Sequence, residues 1–252
     1  MLFFLGGNVN RAKILVIEGT DGSGKETQSK KLLEYLESIN VKVKCYSFPV
    51  YSSATGKIVG GSYLGKPEIS PSFFEETSAN VDPLVSSLYY AADRRYNFLK
   101  EIESELYKND IIILDRYVTS NMGHQACKAK TEKERNKILK FIETLEFDLC
   151  ELPRPDKVIF LHMPFEASRE LRKDRTFGDG NENNESHLRH AEKNYVLISK
   201  MYNWHYINCI KTKKYRRIEN IKSIEEISDE IKVIVNDFLK EKSTDINKMT
   251  RF

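Results

Sequence analysis

The sequence predicts an α/β fold in three layers, with helices covering both faces of a parallel sheet of about five strands. Short apolar runs of strand type alternate along the chain with longer segments of helical period, and such alternation is typical of parallel sheets. The chain of 252 residues is also long enough to bury one core. We therefore expect a single domain over residues 1–252, with its core at about 12–240, a small lid at about 166–190 and frayed termini.

Five short runs are candidate strands. Residues 14–17 are apolar and β-branched and lead directly into a glycine-rich turn. Residues 41–47 are the second candidate in chain order. The runs at 111–114 and 158–161 are apolar throughout, which is typical of strands buried on both faces of a sheet. A weaker candidate at 206–210 completes the sheet.

Helix signals fill the intervals between these runs. Leucine and isoleucine recur at helical spacing over residues 32–39. Ser-Pro at 70–71 and Asp-Pro at 82–83 each resemble an N-cap followed by proline at the first helical position, and the second pair predicts a long helix towards Tyr107. Serine at 223 with glutamate at 226 resembles a capping box, which predicts a C-terminal helix with one buried face.

Composition and charge exclude several classes of function. The 40 basic and 37 acidic residues give a net charge of +3, which is too even to indicate binding to nucleic acid or to an anionic membrane. The apolar patch at the N-terminus is too short for a membrane span or a signal peptide. The four cysteines are far apart and form no C-x-x-C pair, so we expect reduced thiols. These features predict a soluble cytoplasmic protein with neither a nucleic acid nor a membrane as partner.

A glycine-rich segment between the first strand and the first helix carries the strongest functional signal. It has the sequence GTDGSGK over residues 19–25. Glycines let successive backbone N–H groups point at phosphate oxygens, the helix N-terminus adds positive charge, and Lys25 can reach the β- and γ-phosphates. The segment therefore predicts a P-loop NTPase fold with an ATP site. The predicted phosphate-binding residues are Gly19, Asp21, Gly22, Ser23, Gly24, Lys25, Glu26 and Thr27.

Two acidic residues are candidates for a magnesium site. The P-loop pattern has Ser or Thr after the lysine as a magnesium ligand, but here Glu26 occupies that position and Thr27 follows. A carboxylate also binds magnesium, directly or through water. Asp115 ends the run at 111–114, where parallel sheets place their chemistry, and the adjacent Arg116 can clamp a phosphate. A structural ion pair is the alternative at this strand end. We predict that Glu26 and Asp115 help hold Mg²⁺ together with ATP.

These motifs, with others in the chain, resemble the thymidylate kinase family of P-loop nucleoside monophosphate kinases. The matching stretches occur in family order and extend the resemblance over roughly residues 12–240. They are IEGTDGSGKETQ from residue 17, SFP from 47, LYYAADRR from 88, DRYVTSNMGHQ from 115 and LPRPDKVIFL from 152. The resemblance implies transfer of the γ-phosphoryl group of ATP to dTMP, giving dTDP and ADP. It also makes a homodimer an expectation to test, because family members often form homodimers.

The resemblance further implies residues for dTMP binding. Arg94 matches the arginine that recognises the thymine edge, and Tyr90 matches an aromatic position that stacks on the base. Asp21 matches the loop aspartate that reaches the acceptor sugar, and Arg116 matches the arginine on the acceptor phosphate. The predicted dTMP-binding residues are Asp21, Phe48, Tyr90, Arg94, Arg116, Ser120, His124 and Gln125.

Three positions depart from the family pattern. His124 stands where the family often has tyrosine beside the deoxyribose, which leaves the basis of sugar discrimination open. Tyr51 stands where many members have an arginine for the acceptor phosphate. That phosphate must then rely on Arg116 and another cation, for which Arg95 is a candidate. Gly22 replaces the catalytic arginine that some members carry in the loop.

The resemblance implies that a chain without the loop arginine supplies one from the lid. Arg169, Arg172 and Arg175 recur at a spacing of three, and the polar segment 176–186 that follows is interpreted as a mobile loop. An arginine that closes over the transferring group stabilises its charge, which favours Arg172 and then Arg175. A solvated surface is the alternative for these arginines. The predicted catalytic residues are Lys25, Asp115, Arg116, Arg172 and Arg175.

Two further signals have simpler explanations. His187 and His190 lack a third metal ligand, and we expect both on an exposed helix face. The basic run at 211–217 is interpreted as a solvated loop. Two rival functions stay open at this point: a kinase for another nucleotide or nucleoside, and a nucleotide-binding regulator without catalytic activity.

Overall fold

The computed structural model describes residues 11–173 and 184–241, which form a parallel sheet with helices on both faces. The five strands are β1 (Lys13–Gly19), β2 (Val43–Ser47), β3 (Ile111–Asp115), β4 (Lys157–His162) and β5 (His205–Asn208). Their order in the sheet is β2-β3-β1-β4-β5, and every pairing is parallel. The predicted fold class is therefore confirmed.

Eight α-helices connect and cover the strands in the described part of the chain. They are α1 (Lys25–Ser38), α2 (Ala54–Lys57), α3 (Pro83–Asn97), α4 (Val118–Ala126), α5 (Glu132–Glu143), α6 (Phe165–Leu171), α7 (Glu185–Met201) and α8 (Ile224–Lys240). Three π-helical turns, Ile58–Tyr63, Phe98–Ile102 and Thr144–Leu149, extend α2, α3 and α5, and short 3₁₀ turns lie at Glu103–Glu105 and Ile218–Asn220. None of the described helices is both long and apolar enough to cross a bilayer.

Alternate residues of the central strands pack into two separate hydrophobic layers, because successive side chains in a strand point to opposite faces of the sheet. Ile14 and Val16 of β1 belong to the layer covered by α4, α5 and α7. Leu15 and Ile17 of the same strand belong to the layer covered by α1 and α8. Both faces of β1 and β3 are thus buried, which explains the apolar runs at 14–17 and 111–114.

Helix caps account for two of the three helix starts that the sequence predicts. The Asp82 carboxylate accepts N–H bonds from residues 84 and 85 and begins α3. Ser223 and Glu226 form the predicted capping box of α8. The start predicted at 70–71 is wrong, since residues 70–82 form no helix. The Ser70 hydroxyl donates to the Pro71 carbonyl instead of accepting a helix N–H bond.

The carboxyl ends of β1, β2 and β3 lie side by side at one edge of the sheet. Asp115 at the end of β3 is in register with Ile17 of β1 and with Ser47 of β2. Open parallel sheets bind their ligands at this edge. The predicted loop at 176–186 falls mainly outside the described residues, which resume with Asn184 as the N-cap of α7.

Candidate active site

A cleft of about 810 Å³ lies at the carboxyl edge of the sheet. This volume is in the range of small-molecule sites. Among the predicted site residues, Gly19 and Ser23 lie outside its lining, and Arg175 falls outside the described residues. The cleft brings together the remaining predicted residues, which are Asp21, Gly22, Gly24, Lys25, Glu26, Thr27, Phe48, Tyr90, Arg94, Asp115, Arg116, Ser120, His124, Gln125 and Arg172.

The P-loop connects β1 to α1 and encloses the ammonium group of Lys25. This group donates to the backbone carbonyls of Gly19 at 2.9 Å and Thr20 at 3.0 Å. Burial and the nearby Arg116 guanidinium lower the pKa of Lys25 to about 8. A bound polyphosphate would favour the charged form, because it supplies the negative charge that the buried ammonium group otherwise lacks.

Gly22 lets helix α6 approach the P-loop closely. Its φ angle is 76°, and a Cβ atom at this position would lie 2.9 Å from the Ser168 hydroxyl oxygen. A side chain here would therefore be strained and would also push against α6. Ser168 in turn accepts from Arg172 Nε at 3.2 Å. The absence of a side chain at position 22 and the placement of Arg172 at the cleft are thus linked through Ser168.

Arg172 and Arg169 have different surroundings, although their spacing placed them on one helix face. Helix α6 ends at Leu171, so Arg172 leaves the helical path and lines the cleft. Arg169 is exposed and lies 3.8 Å from the Glu185 carboxylate. Of these two arginines, Arg172 can therefore reach a ligand in the cleft.

Asp21 and Arg116 form an ion pair across the mouth of the P-loop, with Nη2 and Oδ1 3.0 Å apart. Burial disfavours the charged form of Asp21, but Arg116 and Lys25 hold its pKa well below the usual range. Arg116 has a φ angle of 64°, which non-glycine residues rarely adopt. Its backbone N–H group donates to the Ile17 carbonyl on the neighbouring strand at 3.1 Å, which helps hold this conformation.

A buried carboxylate, Glu18, lies beneath the P-loop and was not among the predicted site residues. It accepts from the hydroxyl groups of Thr119 at 2.8 Å and Ser120 at 2.7 Å at the start of α4. It also accepts from Gly19 N–H at 3.0 Å and from the Tyr195 hydroxyl at 3.3 Å. Glu18 therefore connects the P-loop to α4 and α7, and it orients the Ser120 hydroxyl towards itself.

The chemistry around Asp115 fits a magnesium ion. Its Oδ2 atom accepts from the Ser47 hydroxyl at 3.4 Å, whereas its buried Oδ1 atom has no hydrogen-bond partner among the described residues. Burial raises the pKa of Asp115, against the opposing effect of Arg116. A nearby cation would favour the ionised form. Within the described residues no group of three or more His, Cys, Asp or Glu side chains forms a metal site, and magnesium often needs just one or two carboxylates plus substrate phosphates.

Glu26 lines the same cleft from the first turn of α1. Its carboxylate lies 2.6 Å from the Lys30 ammonium group, and both side chains are exposed. This hydrogen bond lowers the pKa of Glu26. The pair keeps Glu26 ionised in the first turn of α1, directly after Lys25.

Arg94 lines the same cleft from α3 and is held by a buried carboxylate that the sequence did not indicate. Its Nε and Nη2 atoms both donate to Glu146, the second at 2.7 Å. Asn121 donates to the same carboxylate at 2.8 Å. Both members of the ion pair are at most 2% exposed. Tyr90 lies on the same wall, 5.9 Å from the Arg94 guanidinium, so this part of the cleft can bind a planar polar group.

Tyr51 and Lys66 lie together on this side of the cleft. The Lys66 ammonium group is 4.9 Å from the centre of the Tyr51 ring, and both residues line the cleft. Arg95, the cation expected to replace the missing arginine, lies instead 3.4 Å from Glu151 and outside the cleft lining. That expectation is therefore not supported.

His187, which is buried, and His124, which is partly buried, form a pair where α4 packs against α7. Nδ1 of His124 lies 3.4 Å from Nε2 of His187, and the two rings stack. Burial lowers the pKa of His124 to about 3 and that of His187 to about 4. The expectation of an exposed His187 is wrong, because Asn194 donates to backbone carbonyls of α4 and holds this face of α7 inward. His190 is exposed as expected.

Comparisons with known proteins agree with this geometry. The thymidylate kinase family model matches residues 17–231. Thymidylate kinase from Prochlorococcus marinus (strain AS9601) is 30% identical over 92% of this chain and 100% of its own length. Thymidylate kinase from Schizosaccharomyces pombe is 31% identical over 61% of this chain and 62% of its own length. The solved structure of thymidylate kinase from Candida albicans superposes with a TM-score of 0.64 at 21% identity, covering 93% of this chain and 96% of that one.

The parallel sheet, the P-loop with its enclosed lysine and the adjoining cleft define a P-loop phosphotransferase. The match to the family model covers most of the chain, so the class can be narrowed further. The chain belongs to the thymidylate kinase family and is a kinase.

Proposed function

We propose that the cleft is where this chain, as a member of the thymidylate kinase family, transfers the γ-phosphoryl group of ATP to dTMP. The observation that carries the proposal is the arrangement of two regions in one cleft. The P-loop with Lys25 lines one part of the cleft, and Tyr90 with Arg94 lines another part of it. The side with the P-loop suits ATP phosphates, and the side with Tyr90 suits a nucleotide base.

The donor side supplies positioning and positive charge. Backbone N–H groups of residues 19–25 and the Lys25 ammonium group would surround the β- and γ-phosphates. Arg116, beside Asp21, would contact the phosphate that accepts the transferred group. Phosphoryl transfer needs little covalent participation from the protein, so alignment and charge neutralisation account for most of the catalysis.

Arg172 is the described lid residue that best fits the catalytic arginine. It lines the cleft, and its Nε atom bonds to Ser168 beside the P-loop. In the transition state it would stabilise charge on the equatorial oxygens of the transferring group. A lid at about 166–190 and one kinase domain over 1–252 stay part of the proposal. Arg175 falls outside the described residues, and its role stays a prediction.

Mg²⁺ is the metal that the donor side would take with ATP. Asp115 would hold it directly or through water, and Glu26 would contribute through water. The bound ion would neutralise negative charge on the donor phosphates. We expect Asp115→Asn to raise the magnesium concentration needed for half-maximal turnover and to weaken Mn²⁺ binding measured by electron paramagnetic resonance. Unchanged magnesium dependence in Glu26→Gln would exclude Glu26 from this role.

The acceptor side would bind the thymine base through Arg94 and Tyr90. Glu146 fixes two donor atoms of Arg94, which restricts the guanidinium to one orientation. The Oε1 atom of Gln125 lines the same region, is buried and has no hydrogen-bond partner among the described residues. It is available for a donor group of the nucleotide. His124 and Phe48 would border the sugar and base.

An acceptor panel tests the proposed function. Release of ADP is measured with dTMP, dUMP, dGMP, dCMP, UMP and thymidine, with and without Mg²⁺. We expect dTMP to give the highest kcat/KM in the presence of Mg²⁺. The report on the Candida albicans structure describes broad substrate specificity for that enzyme, so activity on further monophosphates is informative. A higher kcat/KM for a different acceptor would contradict the assignment, and turnover of none would indicate a nucleotide-binding regulator.

A homodimer and a cytoplasmic location complete the proposal. Val85 and Leu88 of α3 and Leu99 of the π-helical turn that extends it are exposed, which supports contact with a second copy. Sedimentation equilibrium should give twice the chain mass, and Leu88→Glu should lower it. All four cysteines are free thiols in the structure, which is compatible with a reducing compartment.

A further inference from the structure

The acceptor side of the cleft carries a lysine, Lys66, that belongs to none of the sequence motifs. It follows the π-helical turn Ile58–Tyr63 and lines the cleft together with Tyr51, Leu64 and Tyr90. Tyr51 and Tyr90 pack against the same small apolar cluster, which contains Leu64. The position of Lys66 is therefore tied to the wall that holds the proposed acceptor nucleotide, and not to the P-loop.

The backbone around Lys66 is fixed by hydrogen bonds. Its N–H group donates to the Gly60 carbonyl at 2.8 Å, and its own carbonyl accepts from the N–H groups of Ile69 at 2.9 Å and Ser70 at 3.2 Å. The side chain is 19% exposed, so most of its stem is packed while the ammonium group reaches the cleft. Few rotamers then remain to be restricted when a ligand binds.

The face of the Tyr51 ring lies against the ammonium group of Lys66. A Cβ atom at Gly60 would lie 2.8 Å from Tyr51 Cδ1, so the glycine allows the ring to pack directly on the π-helical turn. The preceding residue, Val50, donates its N–H to the buried Asp93 carboxylate of α3 at 3.0 Å. Tyr51 is therefore held by its backbone and by its ring, and it presents a π face to Lys66 at 4.9 Å.

The charge requirement of the acceptor points to the same residue. A nucleoside monophosphate carries a phosphate charge of about −1.5 to −2 at pH 7. Arg116 shares its positive charge with Asp21, and Arg95 is directed to Glu151. Lys66 lies 3.9 Å from Glu68, whose side chain is 68% exposed. Solvent screens the exposed Glu68 carboxylate, so a phosphate dianion in the cleft can compete with it for the Lys66 ammonium group.

We propose that Lys66 binds the 5′-phosphate of the acceptor nucleotide and that Tyr51 holds its ammonium group in place. This inference rests on the proposed function, because it assigns the acceptor to the wall formed by Tyr51 and Tyr90. Lys66 thereby supplies, from a segment remote in sequence, a cation that position 51 does not provide. A lysine acts on a phosphate as a compact point charge.

The test compares Lys66→Met with the wild type for two ligands that differ in the phosphate alone. Methionine keeps an apolar stem beside Tyr51 and removes the charge. Calorimetry measures binding of dTMP and of thymidine, and initial rates give KM for dTMP and for ATP. We expect about ten- to hundredfold weaker dTMP binding, from the loss of one charge-assisted hydrogen bond. Thymidine affinity and KM for ATP should change less than twofold, and Lys66→Arg should restore most of the dTMP affinity.

Lys57→Met is the matched control, because Lys57 is exposed, lies in the preceding helix α2 and is outside the cleft lining. Thermal unfolding checks that each variant folds, and Lys66→Gln replaces Lys66→Met if the latter does not. Equal loss of thymidine and dTMP affinity would overturn the proposal, as would unchanged dTMP affinity or a selective rise of KM for ATP. If the wild type turns over dTMP and Lys66→Met binds dTMP equally well, the role of Lys66 is wrong but the proposed function stands. If the wild type binds no dTMP, the proposed function is wrong as well.

Discussion

The buried pair of Arg94 and Glu146 allows stability and recognition to be separated by mutation. Both side chains are at most 2% exposed, and the guanidinium donates twice to the carboxylate. Glu146→Ala leaves a buried positive charge without its partner, which should lower the free energy of unfolding by about 3–5 kcal/mol. Arg94→Met leaves a buried carboxylate and should destabilise to a similar degree. The double variant Arg94→Met/Glu146→Leu removes both charges and should lie within about 2 kcal/mol of the wild type.

Urea unfolding, followed by the fluorescence of the single tryptophan Trp204, measures the four free energies. Asn121 loses one acceptor in the double variant but still donates to the Ser87 carbonyl, so it adds little cost. The double variant should fold well and yet show a KM for dTMP about ten- to hundredfold above the wild type, because the thymine edge loses a charged hydrogen-bond donor. Single variants within 1 kcal/mol of the wild type, or a double variant whose loss equals the sum of the single losses, would refute this reasoning.

Three further predictions concern catalysis and pH. Arg172→Ala should lower kcat by about a thousandfold with little change in KM, and Arg169→Ala, the exposed control, should leave kcat near that of the wild type. A kcat of Arg172→Ala equal to that of the wild type would exclude Arg172 as the catalytic arginine. ATP affinity should fall by up to about tenfold per pH unit above pH 8, because Lys25, with a pKa of about 8, loses the positive charge that binds the phosphates. Calorimetry from pH 7 to 9.5 measures this dependence, and Lys25→Arg should make it flatter. The pKa of His187 is about 4 in the folded state, against an ordinary value of 6.5, so the unfolded state binds more protons between these two pH values. The free energy of unfolding should therefore fall by about 3 kcal/mol as the pH drops through this window. Urea unfolding at pH 7.5 and 4.5 measures this loss, and His187→Phe should reduce it.

The parts of the molecule that local sequence chemistry determines were predictable. The strands at 111–114 and 158–161 are apolar throughout because both faces of the sheet are covered, and the structure confirms them. The P-loop has a spacing that backbone geometry requires, and caps at 82 and 223 need just a side chain and the N–H groups beside it. The same cap signal failed at 70–71, where the serine hydroxyl bonds to the next carbonyl.

The contacts that orient the candidate site were not predictable, because they join residues far apart in the chain. Glu146 lies 52 residues from Arg94 and His187 lies 63 residues from His124. A glutamate in a charged helical segment has no local feature that marks it as buried. Lys66 gives no motif either, and its proximity to Tyr51 depends on the path of the turn that precedes it. Sequence position alone suggested Arg95 as the cation for the acceptor phosphate, but its side chain is directed to Glu151.

Transfer of the terminal phosphate from γ-labelled ATP to dTMP is the most direct test of the proposed function. Purified chain is incubated with labelled ATP, dTMP and Mg²⁺, and the products are separated by anion-exchange chromatography. The arrangement of the P-loop and the Tyr90–Arg94 wall in one cleft predicts that the label appears in dTDP, in amounts equal to the ADP formed. Label found in inorganic phosphate, or ATP left intact in the presence of dTMP, would contradict it.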